Sequence, residues 1–339
     1  MLYFSYKKFF LFCLFPLSLL LALNLGRYPV TWENVLVDIQ KYLQGDLLLQ
    51  NFSPDTHVML VRIPRIFMAI LVGAALSASG MVYQCLFRNA LVSPDILGIS
   101  SGACLGAAIA ILSSFRHPFL IQGSAFCFGI MAVLLTYRLS ILSGGHTVIM
   151  LVMSGIIVSS FCSALLSILK YTADPYSQLP AIVFWIMGGL HQVGWKELGF
   201  SFPLVFSGLA TIYILRRNLN ILSLGDEEAT SLGINVPLMR LIFIIASTVV
   251  VGATIAITGV VGWVGLVMPH ISRIIITSDH TVSLPWCMGI GGCFLLIIDT
   301  LARSLTPQEI PIGIITALIG APFFAYLLLF TKEKGWGKW

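Results

Sequence analysis

The sequence predicts an all-α polytopic membrane protein with about ten transmembrane helices. Hydrophobic residues make up 58% of its 339 positions and charged residues only 10%, which gives a mean hydropathy of +0.96. A soluble domain of this length cannot bury so large a share of apolar side chains. The apolar runs are long and continuous rather than alternating, which favours helices over barrel strands. The modest net charge of +5 does not suggest nucleic acid as a partner.

The apolar runs are separated by short polar segments, and most approach the roughly 20 residues that a helix needs to cross a bilayer. They lie near residues 9–25, 66–87, 96–115, 119–137, 148–170, 198–215, 241–258, 262–277, 284–301 and 311–330. The first run lacks a convincing cleavage site, so we interpret it as a membrane helix rather than a signal peptide. Residues 1–339 are therefore predicted to form a single membrane domain.

The placement of lysines predicts the orientation of the chain. Lys7 and Lys8 precede the first apolar run. Three more follow the last run, Lys332, Lys334 and Lys338. Because basic residues are enriched on the cytoplasmic side, both termini are predicted to be cytoplasmic, which requires an even number of spans. This count places the segment 216–240 in the cytoplasm and leaves Arg62 and Arg65 outside, where basic residues need another explanation.

The long polar segment 216–240 has features of a short helix. Three consecutive acids would occupy its first turn, Asp226, Glu227 and Glu228. Acids are favourable there because the helix dipole is positive at the N-terminal end. Gly233 stands where such a helix would end, and a second short helix could begin near Val236–Pro237. The segment is either a solvated connector or an element that docks a soluble partner.

The chain carries little that could form a catalytic or metal site. Its seven cysteines include no Cys-x-x-Cys pair, and most lie inside apolar runs, so we interpret them as small core residues. His270 has no second histidine or acid at ligand spacing. The phosphate-binding pattern Gly-x-x-x-x-Gly-Lys-Ser/Thr is absent. We predict no catalytic residue, no metal ligand and no cofactor bound by this chain. Asp299 precedes Arg303 by four residues, which predicts an ion pair on one helix face.

The polar segment also carries a recognisable spacing. Gly225, Ala229, Leu232 and Gly233 form the pattern Gly-x-x-x-Ala-x-x-Leu-Gly. This pattern resembles the coupling loop of the FecCD/BtuC family, the permease subunits of type II ABC importers for iron chelates and cobalamin. In that family the loop sits in a groove of the cytoplasmic ATPase.

Further motifs extend the resemblance over about residues 60–330. They are the stretches Val61–Arg65, Trp185–Leu190, Thr258–Arg273 and Asp299–Arg303. The chain departs from the family in two places. Ala90 stands where the family has proline, and Trp263 stands where it generally has phenylalanine.

The resemblance implies roles for three groups of residues. The coupling loop would contact the ATPase through Gly225, Asp226, Glu227, Glu228, Ala229, Leu232 and Gly233. The binding protein would dock through its acids on Arg62 and Arg303, whereas Arg65 fits docking and anchoring at the membrane interface equally well. A cytoplasmic gate would lie at His146, Thr147 and Val148.

The resemblance also implies the partners. Two ATPase subunits would use ATP and Mg²⁺, and an extracytoplasmic binding protein would deliver the ligand. A second permease copy, either an identical chain, which we favour, or a similar one, would complete the pathway in the bacterial inner membrane. The implied function is import of a metal chelate, either a ferric siderophore, haem or cobalamin. One alternative is the same architecture carrying molybdate or tungstate. Another is an ion-coupled secondary transporter, but this would need intramembrane acids that the apolar runs almost entirely lack.

Overall fold

A computed structural model describes residues 2–26, 28–44, 51–113, 117–143 and 148–330. This part of the chain contains fourteen α-helices. The first seven are α1 (Leu2–Asn24), α2 (Trp32–Gln44), α3 (Pro54–Leu86), α4 (Ile99–Leu112), α5 (Pro118–Leu142), α6 (Val148–Thr172) and α7 (Gln178–Met187). The others are α8 (Trp195–Ile214), α9 (Arg216–Leu224), α10 (Asp226–Ser231), α11 (Val236–Thr258), α12 (Val264–Ile275), α13 (His280–Leu305) and α14 (Ile312–Phe330).

Each predicted apolar run overlaps a separate helix over most of its length. The helices are α1, α3, α4, α5, α6, α8, α11, α12, α13 and α14. Among the described residues, six helices are long and apolar enough to cross a membrane, namely α3, α5, α6, α8, α11 and α13. The other runs form shorter apolar helices, including the second half of α1. The prediction of an all-α polytopic chain is confirmed.

Helix α3 is longer than its apolar run predicts. It has 33 residues and begins at Pro54, and Ser53 caps its first turn by accepting a hydrogen bond from the backbone of Thr56. Proline is favourable at the first helical position because the missing N–H would have no partner there. The added turns carry Arg62 and Arg65, so α3 holds both arginines at one end of the bundle.

Glycines bring α3 close to its neighbours α12 and α13. A Cβ atom added to Gly80 would lie 1.8 Å from the carbonyl oxygen of Gly265 in α12. A Cβ atom added to Gly73 would lie 2.1 Å from the carbonyl oxygen of Gly291 in α13. Small residues allow this approach where lipid supplies no hydrophobic force between helices. Helix α3 therefore packs closely against both neighbours, and the elements at its two ends form the candidate sites.

Candidate functional site

The predicted short helix at the acids is present as α10. Gly225 separates it from α9 and has a φ of 146°, a conformation that favours glycine. At the other end, the backbone N–H of Gly233 donates to the oxygen of Thr230 at 2.9 Å, and that of Ile234 donates to Ala229 at 3.1 Å. These two bonds form a Schellman motif, which satisfies the last carbonyls of the helix.

The second short helix was predicted in the wrong place. Val236 does not begin a separate short helix, because it is the first residue of the membrane helix α11. The side chain of Asn235 caps α11 by accepting a hydrogen bond from the N–H of Leu238 at 3.1 Å. The short partner of α10 instead precedes it, as α9. The segment 216–240 thus consists of α9, α10 and the start of α11, which together form a helical corner.

Asp226 fixes α10 to two membrane helices. Both of its carboxylate oxygens accept hydrogen bonds from Nη2 of Arg240 in α11, each at 3.0 Å. Nη2 of Arg88, just beyond α3, lies 3.3 Å from Oδ1 of the same carboxylate. Charge-assisted hydrogen bonds of this kind are stronger than neutral ones. The carboxylate therefore links α10 to α11 and to the end of α3.

Helix α9 is fixed to the start of α13. Nδ2 of Asn220 donates to Asp279 at 2.7 Å, and its Oδ1 accepts from the backbone N–H of His280 at 2.8 Å. Nε of Arg216 donates to the carbonyl of Thr281 at 3.1 Å. Hydrogen bonds from Thr281 and Asn220 lower the pKa of Asp279 below its usual value. The carboxylate thus stays ionised as the N-cap of α13.

The predicted coupling residues differ in their exposure. Ala229 and Gly225 are buried, and Asp226 is engaged in the pairs described above. The corner and the first turn of α11 carry exposed apolar and acidic side chains, and we call this set the α9–α10 surface. It consists of Leu224, Glu227, Glu228, Leu232 and Leu238.

The opposite end of α3 holds an arginine cluster, formed by Arg62, Arg65, Asp299, Arg303 and Glu309. Nε and Nη2 of Arg65 donate to Oδ1 of the fully buried Asp299 at 2.9 and 2.8 Å. Nη1 of Arg65 lies 2.9 Å from a carboxylate oxygen of Glu309. Arg65 is therefore a buried ion-pair partner.

The predicted ion pair between Asp299 and Arg303 is present, but its atoms are farther apart than those of the pair between Asp299 and Arg65. Nε of Arg303 lies 3.8 Å from Oδ2 of Asp299. Helical spacing alone suggested Arg303 as the partner, whereas packing of α3 against α13 brings Arg65 closer. The predicted pair is thus confirmed, and Arg65 is a second and closer partner of Asp299 that the sequence did not predict.

The two arginines predicted to dock the binding protein are buried against the end of α1. Nη1 of Arg62 donates to the carbonyl of Leu23 at 2.8 Å, and Nη2 donates to that of Tyr28 at 2.6 Å. Nη2 of Arg303 donates to the carbonyl of Ala22. Together with Arg65 and Glu309, both line a cavity of about 420 Å³. Their docking role stays a prediction.

Comparison with known proteins decides the family. The model of the FecCD transport family matches residues 14–330. The chain belongs to the FecCD transport family. The matched segment contains the α9–α10 surface, the arginine cluster and most of every predicted run.

Individual FecCD relatives and a solved structure cover most of the chain. The molybdate import system permease protein MolB of Haemophilus influenzae is 37% identical over 335 residues, which is 98% of each chain. The hemin transport system permease protein HmuU of Yersinia pestis is 38% identical and covers 82% of this chain and 85% of its own. A solved metal-chelate type ABC transporter in an inward-facing conformation is 35% identical, with a TM-score of 0.83, and covers 96% of this chain and 99% of its own.

FecCD membership makes this chain a multi-pass membrane permease subunit of an ABC transporter. This result favours the importer architecture over the ion-coupled secondary transporter that the sequence left open. Of the predicted gate, His146 and Thr147 lie outside the described residues. Val148 begins α6 and is half-buried.

The sequence did not predict two features of this FecCD chain. Arg88 and Arg240 converge on Asp226, although 138 and 14 residues separate them from it in the chain. A cavity of about 220 Å³ lies between α7 and the end of α11, lined by His191 among others. Burial lowers the pKa of His191 below its ordinary value. The histidine is therefore neutral at pH 7.

Proposed function

We propose that this permease is the membrane-spanning subunit of an ATP-driven importer of a metal chelate, namely a ferric siderophore, haem or cobalamin. The observation that carries the proposal is the likeness to the solved metal-chelate type transporter over 96% of this chain. Two identical copies enclose the pathway in the bacterial inner membrane, with both termini in the cytoplasm. Two ATPase subunits bind inside, and an extracytoplasmic binding protein delivers the ligand from outside.

The α9–α10 surface is the proposed contact with the ATPase. The side chains of Leu224 and Leu232 are 59% and 60% exposed on this surface. The two acids of the surface, Glu227 and Glu228, are also exposed. Burial of such apolar side chains under a partner contributes to affinity. Behind the surface, Asp226 and Asn220 connect it to α3, α11 and α13. A shift of the ATPase would therefore move three membrane helices together.

Replacing Leu232 with lysine is expected to weaken ATPase binding by about 10- to 100-fold. Burial of a leucine side chain contributes about 1.5–3 kcal/mol, and each 1.4 kcal/mol is a factor of ten in affinity. The measurement is a titration of the purified ATPase against the immobilised permease. The matched control is Leu142→Lys, at an exposed leucine at the end of α5. Equal losses in the two variants, or none in L232K, would contradict the proposed contact.

The arginine cluster is the proposed site for the binding protein. Acids of that protein would compete with the carbonyls at the end of α1 for Arg62 and Arg303. Such charge complementarity sets orientation and association rate more than affinity. Asp299 and Glu309 hold Arg65 between them, so Arg65 is proposed to support the site rather than contact the partner.

The substrate class is tested on the cognate binding protein by thermal shift. Haem, a ferric siderophore, cobalamin and molybdate are each titrated. We expect one chelate to stabilise the protein by about 2.7 kcal/mol at a concentration of 100 times its dissociation constant, and molybdate to have no effect. The oxyanion alternative has one observation in its favour, the alignment with MolB over 98% of both chains. Stabilisation by molybdate alone would replace the chelate with an oxyanion and leave the architecture unchanged.

A further inference from the structure

Helix α2 presents an apolar face that no described part of the chain covers. Four large side chains recur at spacings of four, three and four residues, which places them on one face of a helix. They are Trp32, Leu36, Ile39 and Leu43, and we call them the α2 stripe. Their exposed fractions run from 39% at Trp32 to 79% at Leu43. Such a stripe needs an apolar environment, because a short helix in water is not stable on propensity alone.

A buried carboxylate fixes the rotation of α2 about its axis. Oδ2 of Asp38 accepts hydrogen bonds from the N–H of Ser53 at 2.8 Å, its hydroxyl at 2.5 Å and the hydroxyl of Thr56 at 2.7 Å. These bonds hold the pKa of Asp38 below its usual value. Val35 is buried on the same side. Because α2 is held against the start of the membrane helix α3, the stripe cannot turn inward.

The stripe continues the lipid-facing surface of α1. Leu17, Leu20 and Leu21 of α1 are exposed within an apolar helix of a membrane protein. Nε1 of Trp32 donates to Oδ1 of Asn24, the last residue of α1, at 2.7 Å. The α2 stripe therefore starts where the exposed apolar surface of α1 ends.

The basic residue of α2 lies on the side opposite the stripe, and the first acid lies at its edge. At 100° per residue, Lys41 projects about 160° from Leu43, whereas Glu33 lies at the edge of the stripe, about 100° from Trp32 and about 60° from Leu36. Helices that lie in a membrane interface have this separation of an apolar face from a charged one, with tryptophan at the boundary. A protein partner would cover the stripe whether or not it continued the apolar surface of α1, so this continuity favours lipid as the occupant.

We infer that α2 is an interfacial helix that lies along the membrane surface with the α2 stripe inserted among the lipid acyl chains. Its role is to anchor the connection between α1 and α3 at a fixed depth. The segment between α1 and α3 also carries the carbonyl of Tyr28, which accepts a hydrogen bond from Arg62. Anchoring this segment in lipid therefore helps to hold the arginine cluster in place. The inference depends neither on the transported substrate nor on the ATPase.

The test measures the depth of single spin labels in the full-length permease. The exposed Cys13 and Cys127 are first replaced by serine, because the five other cysteines are buried. Labels are then placed by Leu36→Cys and Leu43→Cys on the stripe and by Lys41→Cys as the matched control on the opposite face. The protein is reconstituted in nanodiscs of phosphatidylcholine and phosphatidylglycerol. Collision rates with apolar oxygen and with a water-soluble nickel chelate are recorded for each label.

We expect a several-fold higher ratio of oxygen to nickel collisions at positions 36 and 43 than at 41. Equal ratios at all three positions would overturn the inference, since the stripe would then lie in water. Low collision rates with both reagents at 36 and 43 would also overturn it. That result would mean that protein covers the stripe, as a second permease copy could.

Discussion

Replacing Arg65 with methionine is expected to destabilise the permease by about 3–5 kcal/mol, because removing one partner of a buried ion pair leaves the other charge uncompensated. Asp299 is fully buried and receives two short hydrogen bonds from Arg65. The remaining arginine, Arg303, is too distant at 3.8 Å to replace them. The measurement is the thermal unfolding midpoint of the detergent-solubilised protein.

Two further variants make the result specific to the ion pair. Adding Asp299→Asn to the Arg65→Met variant removes the unpaired charge and is expected to recover a large part of the loss. Arg138→Met makes the same change at an exposed position of α5 and is expected to leave the midpoint unchanged. A double variant as unstable as Arg65→Met alone would show that lost packing, and not charge, causes the effect.

Replacing Gly291 with alanine is expected to cost about 1–3 kcal/mol, the usual penalty for overpacking a well-packed core. The new Cβ atom would lie 1.8 Å from Oγ of Ser77 and 2.5 Å from the carbonyl oxygen of Gly73. The hydroxyl can rotate away, but the carbonyl belongs to the backbone of α3 and can move only with the helix.

The control for this variant lies two residues away in the same helix. A Cβ atom on Gly289 would meet nothing within 4 Å. Gly289→Ala is therefore expected to stabilise the protein by up to about 0.5–1 kcal/mol, since alanine loses less conformational entropy in a helix. The thermal unfolding midpoint of each variant shows whether the substitution stabilises or destabilises the protein. Destabilisation by both, or by neither, would argue against the close approach of α3 and α13.

Local patterns in the sequence were sufficient to predict the membrane helices and α10. Continuous apolar runs locate the six described helices that are long and apolar enough to cross a membrane, because lipid requires each span to be apolar over its length. The shorter apolar helix α7 was not among these runs. The acids at Asp226 and the glycine at Gly233 mark the ends of α10 through the helix dipole and the left-handed cap. Both signals act within one or two turns, which is why they can be read without a tertiary structure.

Long-range contacts explain what the sequence did not predict. Arg65 and Asp299 are 234 residues apart, and only the packing of α3 on α13 brings them together. Helical spacing offered Arg303 instead, because it can detect only partners on the same helix. Helix α2 was missed for a different reason. Its stripe is interrupted by polar residues and is too short for a span.

The length of α3 has a mechanical consequence. Its 33 residues extend about 50 Å, at 1.5 Å per residue, whereas the hydrocarbon core is about 30 Å thick. One rod thus begins beside the arginine cluster and ends where Arg88 reaches the carboxylate of α10. The two sites are therefore attached to the same helix. Because both arginines are attached to this helix, we expect a rigid-body tilt of α3 to displace Arg65 and Arg88 together.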